Sequence, residues 1–251
     1  MGNPAYVYIN LIEDAAGLSS STEDASYPVT NIYDRVKANP FKFTVANGYV
    51  EIDLGAPIAF DMFGLVGHNA TSLTGTVKAD NTPVPTTTIA TLTHRTEDLW
   101  SIASATAQYI RFTSTAGDIT QIGEMILGTR TVLPRAARWG IGKGITAEGV
   151  TYKTYGGATW DYENYAQRYL RPTFRFPESE YAAFELFSTR VQRNPFLWIP
   201  NVSNPEVYYV KKMRGFDPEP VAPGRDGSSM ALWYDWRVAM EAESLGLAVL
   251  A

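Results

Sequence analysis

The sequence predicts a mainly β chain in two domains: an N-terminal jelly-roll sandwich and a C-terminal β-sandwich or barrel with one flanking α-helix. Three observations predict it. Apolar and polar residues alternate over short runs, at Val50, Ile52 and Leu54 and again across Tyr109-Ile110-Arg111-Phe112-Thr113. That is the period of a half-buried strand. Residues 71–131 hold 16 threonines, and threonine fits a pleated sheet better than a helix. Composition also steps near Leu133-Pro134-Arg135. Residues 1–133 carry 7 Lys+Arg, 13 Asp+Glu and 12 aromatics, whereas residues 134–251 carry 14, 13 and 20. The expected domains are therefore 1–133 and 134–251.

In the first domain, Thr30-Asn31-Ile32-Tyr33-Asp34 reads as a single helical turn. The Val50–Leu54 strand should break at Gly55-Ala56-Pro57. Phe63–Val66 should form a short apolar strand ending at Gly67-His68-Asn69. Thr76–Ala79 is the next strand, closed by Asp80-Asn81-Thr82-Pro83, and Ile122–Leu127 is the last, closed by Gly128.

In the second domain, Gln167–Phe176 is extended, and Pro172 suits an edge strand because it has no N–H to give a ladder. Pro177 opens a helix, and Glu178 and Glu180 complement its positive end. Tyr181, Phe184, Phe187 and Val191 then fall at spacings of 3, 3 and 4, an apolar stripe on about four turns. Asn194-Pro195 stops it. Phe196–Ile199, Val207–Lys211 and Met230–Val238 read as strands, and Asp217–Gly227 as an exposed loop rich in Pro and Gly.

Composition excludes several chemistries. There is no cysteine, so disulfides, thiol nucleophiles and Cys-based zinc sites are absent. The only histidines are His68 and His94, too few for a His-rich metal site. A net charge of −5 does not favour nucleic acid, and no apolar run approaches the length of a membrane-spanning helix. The N-terminal residues lack the basic-then-apolar pattern of a secretory leader. Gly140-Ile141-Gly142-Lys143-Gly144 lacks the spacer and the Lys-Ser/Thr pair of a phosphate loop, and reads as a flexible glycine-rich loop. No GxSxG elbow occurs. Adjacent carboxylates such as Glu13/Asp14 point to opposite sides of a strand and make no acid–base pair. The expectation is a non-enzymatic protein with no catalytic residue, metal or cofactor, no nucleic-acid binding and no membrane insertion.

Three residues carry a binding chemistry. His68 and Asn69, at a strand end, can hydrogen-bond sugar hydroxyls, and Trp100 can stack on a sugar face. The plainer readings are that His68 and Asn69 fill a turn and that Trp100 anchors the core.

The ordered set Tyr27–Asp34, Phe41-Lys42-Phe43, Val50–Gly55, Gly64–Asn69, Tyr109–Phe112 and Ile122–Gly128 resembles the discoidin-like, galactose-binding jelly roll in the form seen in phage tail proteins. Where that family has Trp-Arg-Ser, this chain has Phe41-Lys42-Phe43. The second part, with Asn194-Pro195-Phe196-Leu197 after its helix, resembles distal-tail modules of long-tailed phages. The resemblance implies a structural virion protein of a tail tip or baseplate, made in the host cytoplasm. It would form a ring of six copies, with three as the fallback, around the tail channel, touching tail-tube and tail-hub proteins. The alternative is a carbohydrate-binding adhesin or accessory module that contacts host glycan through His68, Asn69 and Trp100.

Overall fold

The computed structural model describes residues 2–36, 38–68, 74–93, 97–114, 121–153, 159–192, 194–200, 202, 208–212, 215–226 and 229–242. The chain divides into two units, Val7–Thr131, and Val132–Ala251 together with Met1–Tyr6. The first six residues therefore leave the domain the sequence assigned them to. Aromatic packing explains the transfer: the Tyr6 ring lies 4.7 Å from Phe187 and meets Phe196 edge-on at 6.5 Å. Backbone bonds fix the same segment, from Leu133 N–H to the Pro4 carbonyl (2.8 Å) and from Val202 N–H to the Asn3 carbonyl (3.1 Å).

The Val7–Thr131 unit is the expected sandwich. Its main sheet runs in the antiparallel order Gly17–Ser20, Tyr49–Val66, Glu97–Ser114, Thr74–Asp80, Thr88–Thr93. Glu124–Gly128 pairs with the second half of Tyr49–Val66, and a small sheet joins Phe41–Lys42 to Gln121–Ile122. The expected helical turn is the 3-10 helix Val29–Tyr33. Alternation in the sequence becomes alternation in burial, with Val50, Ile52 and Leu54 inward and Tyr49, Glu51 and Asp53 outward. The inward residues join Phe41, Phe43, Phe60, Phe63 and Phe112 in one core.

The break expected at Gly55-Ala56-Pro57 is a bulge instead. Pairing jumps from Asp53↔Tyr109 to Ile58↔Ala107, and Gly55 takes φ +76°, a conformation glycine adopts without a Cβ penalty. Two short predicted strands are thus one strand, Tyr49–Val66.

Asn10 pins the entering segment to the last strand of this unit. Its Nδ2 donates to the Met125 carbonyl (2.8 Å), and its Oδ1 accepts from the Leu127 N–H (3.0 Å) and the Ile12 N–H (3.3 Å). Asn10 is buried, so Asn10→Ala leaves buried backbone groups without partners. A loss of roughly 2–4 kcal/mol is expected in a urea titration. A loss under about 1 kcal/mol would show that water replaces these bonds.

The second unit is a larger sheet in the order Thr131–Val132, Ala5–Val7, Phe196–Ile199, Tyr208–Lys212, Met240–Ala242, Thr159–Pro177, Ser229–Arg237, Glu219–Asp226. Arg138–Lys153 pairs with Thr159–Pro177 as a long hairpin. Its helix follows from the sequence: a 3-10 turn Glu178–Glu180 behind Pro177 runs into the α-helix Tyr181–Arg190. The stripe faces the sheet. Phe184, Phe187 and Val191 are buried, and Tyr181 is half-buried. Phe184 stacks on Phe176 at 4.2 Å and tilts against Phe174 at 5.1 Å, while Phe187 lies 5.7 Å from Trp198 and 6.0 Å from Trp236. Lys212, also buried, donates from Nζ to the Ser188 carbonyl (2.9 Å) and to the Ser188 hydroxyl, tying helix to sheet.

Three expectations change here. Gly140–Gly144 is not a loop; it lies inside the strand Arg138–Lys153, paired with Thr159–Pro177. Asp217–Gly227 is largely a strand, Glu219–Asp226, at the end of the sheet order. Pro220 and Pro223 are tolerated there because an edge strand needs only one ladder, and the register shifts between Val221 and Gly224. Pro172 does not lie on an edge. Its strand has partners on both sides, and Pro172 falls where one partner, Met240–Ala242, gives way to another, Ser229–Arg237. The missing N–H is harmless at that change of partner.

Candidate functional site

The outward face of the Val7–Thr131 sheet carries a run of polar side chains, and the strand register orders it. One row runs Ser19, Glu51, Arg111, Lys78 across four strands. The next runs Gly17, Asp53, Tyr109, Asp80. Tyr49 and Thr113 face each other one step further along. Side chains at i and i+2 share a strand face, so the two rows stand side by side.

Within the rows the groups are already oriented. Arg111 Nε donates to Glu51 Oε1 at 2.8 Å, a second bond runs from Arg111 Nη2 to the same carboxylate, and the guanidinium lies 4.6 Å from the centre of the Tyr49 ring. Gln108 Nε2 donates to Asp53 Oδ1 at 3.0 Å, and the Gly55 N–H donates to the same oxygen at 2.8 Å. A groove of about 210 Å³ opens over Gly17, Ser19, Glu51, Asp53 and Tyr109, with Pro83 and Pro85 on its rim.

The rim is held by Asp80. Its carboxylate accepts from the Thr82 hydroxyl (2.5 Å), the Thr86 N–H (2.7 Å) and the Thr82 N–H (2.9 Å). These bonds, the Thr82 hydroxyl first, hold the carboxyl far below the usual carboxylate range. A Pro-containing rim locked by one ionised aspartate offers a rigid edge to a ligand.

The residues named from sequence fare differently. His68 is buried, with 4% exposure, and so presents no open edge to a sugar. Asn69 lies outside the described residues. Trp100 pairs with Phe63 in the backbone ladder, and its side chain is outside the described set. Of the three, only His68 has a described side chain, and it faces inward. Glu51, Asp53 and Tyr109 of the groove, and Arg111 beside it, lie in the two runs whose alternation marks half-buried strands. Their alternation was visible, but the register that aligns them across strands was not.

A second feature lies elsewhere in the unit. Glu124, paired in the ladder with Val66, is 1% exposed. Burial pushes its carboxyl up to about 9, and the charges of Asp34 and Glu13 add to the shift. Glu13 itself is paired with Arg35 at 2.6 Å.

No protein-family model matches the sequence, and no curated protein sequence matches it. Solved structures are similar to half of it. Chitosan-binding module 1, derived from a chitosanase/glucanase of Paenibacillus sp. IK-5, is 18% identical with a TM-score of 0.42, over 47% of this chain and 98% of the module. A Clostridium perfringens module, CpGH89CBM32-5, solved in complex with GalNAc-β-1,3-galactose, is 8% identical with a TM-score of 0.43, over 48% and 99%. A Ruminococcus gnavus GH29 fucosidase solved with fucose is 21% identical with a TM-score of 0.44, over 50% of this chain and 28% of the enzyme. At these scores and identities the likeness bears on neither ligand nor site.

Proposed function

We propose that the Val7–Thr131 unit is a carbohydrate-binding module and that its groove takes a neutral glycan. The observation that carries the reading is the groove itself, where Glu51, Asp53 and Tyr109 line one depression beside the oriented Arg111. A sugar ring has vicinal hydroxyls that both donate and accept, and an apolar C–H face. The Glu51–Arg111 pair and the Gln108–Asp53 pair supply acceptors and donors side by side. The Tyr109 ring supplies a surface to stack on. Because these side chains are held by each other before binding, little rotamer entropy is lost when a ligand arrives.

A glycan array probed with the full chain, followed by calorimetry on the best oligosaccharide, tests this. Asp53→Ala and Tyr109→Ala should each weaken binding by about tenfold or more, the loss of one hydrogen bond to a charged group or one stacking face. The melting temperature should hold, since the groove residues face outward. Retention of full affinity in both variants would place the sugar elsewhere.

A second reading, a subunit of a tail-tip ring, is favoured by one observation. Residues 159–168 pair only with 145–153 among the described strands, so the hairpin runs on beyond the sheet as a two-stranded ribbon. Both outer edges of that ribbon leave backbone N–H and C=O groups for another chain to complete. Symmetry analysis of intact tail tips should then show this chain as a ring of six. A single copy off the axis would rule the ring out.

A further inference from the structure

The second unit holds a depression that the glycan reading does not use. It measures about 250 Å³ and is lined by Arg171, Thr173, Arg237, Val238 and Ala239. Its origin lies in Pro172. That residue has no N–H, and the ladder beside it changes partner there, from Leu170↔Met240 to Thr173↔Arg237. Between those pairs the neighbouring chain runs outside strand geometry through Val238 and Ala239. The Val238 N–H donates to the Pro172 carbonyl at 3.0 Å and closes the floor. The gap leaves a hollow on the outer face.

Two guanidiniums flank this hollow. Arg171 and Thr173 lie two residues apart and share a face, and Arg237 stands opposite Thr173 in the register. Arg138 occupies the register position opposite Thr173 on its other side. Arg171 and Arg237 are exposed, and neither has a carboxylate partner among the described residues. The contrast with the next position along the same strand is direct. Arg175 is clamped by Asp235 through two parallel bonds of 2.6 and 2.5 Å. The fold thus neutralises one arginine of the strand and leaves its neighbour open. The Arg171 guanidinium lies over the Tyr169 ring, 4.5 Å from its centre, a cation–π contact that restrains the side chain.

We propose that this hollow is an oxyanion-binding site. Two forked guanidiniums and a threonine hydroxyl over an apolar floor match a carboxylate or phosphate group, which accepts several N–H bonds at once. The ligand class is an oxyanion, carried either as a free phosphate or as the carboxylate of an acidic sugar.

The full chain is titrated with inorganic phosphate and, separately, with glucuronate, following the arginine Nε–H resonances by NMR. Arg171→Gln and Arg237→Gln are measured alongside Arg190→Gln, which removes an exposed charge from the helix of the same unit. Saturable shifts with phosphate, with glucuronate or with both are expected, weakened about tenfold or more in the first two variants and unchanged in the third. Saturation by phosphate alone names a phosphate-bearing ligand, and saturation by glucuronate alone a sugar acid. No saturable shift with either probe, or equal weakening in all three variants, overturns the site. Exposed Arg→Gln changes leave the core intact, and unchanged amide spectra of the variants verify it.

Discussion

Phe184→Ala should destabilise the second unit by roughly 3–5 kcal/mol, the range for emptying a fully buried aromatic position. Its ring has no exposed surface and contacts Phe174, Phe176 and Trp236. The neighbours are themselves large, rigid rings, which collapse poorly into a void and keep the cavity open. A urea titration of the variant should show a lower midpoint with the slope nearly unchanged. A loss below about 1 kcal/mol would mean the ring is replaced by rearrangement of the cluster, and the helix would no longer count as the keystone of this unit. Phe187→Ala should behave alike, with an added effect on the first residues of the chain through Tyr6.

Glu124 should make the stability of the first unit fall as pH rises. Its carboxyl titrates near 9 in the native fold and near 4.5 in the unfolded chain. Between these values the native state keeps a proton that the unfolded state has released. Stability from this group is therefore full below about pH 4.5 and is lost as pH climbs towards 9. The steepest loss for one proton is about 1.4 kcal/mol per pH unit. Glu124→Gln removes the titration while nearly keeping the shape. The variant should match the native protein at pH 5 within about 1 kcal/mol and exceed it at pH 8 by roughly 4 kcal/mol. Parallel pH slopes in the two proteins would show that water or a neighbour solvates the carboxylate in the native state.

Local periodicity carried the parts of the fold that depend on neighbours in sequence. Val50, Ile52 and Leu54 announced their strand, and Phe184, Phe187 and Val191 their helix face, because burial on one side imposes a period of two or of about three and a half. Breaker residues misled where partners decide the outcome. Gly55 gave a bulge and not an end, since the ladder resumed two strands' pairing beyond it. Pro220 and Pro223 read as loop, but an edge strand asks for hydrogen bonds on one side only. The groove was half legible. Glu51, Asp53, Tyr109 and Arg111 each alternated with core residues, yet which of them meet is a property of register, and register is set by contacts between residues far apart in sequence. His68 had the right chemistry at a plausible turn, and only its burial shows that it faces inward.

The place of the first six residues bears on how the chain acquires its fold. Ala5–Val7 is translated before the strand it lies against, Phe196–Ile199, and the Val7–Thr131 unit is made between the two. The strands described for the sandwich are contiguous in the sequence, whereas the second unit must recapture a segment made long before. In domain terms the sandwich is an insertion, threaded between the opening strand of its host and the rest of it. A fragment starting at Val7 would thus lack a strand from within the host sheet, and a fragment of Val132 onward would expose the flank of Phe196–Ile199 to whatever strand it met first.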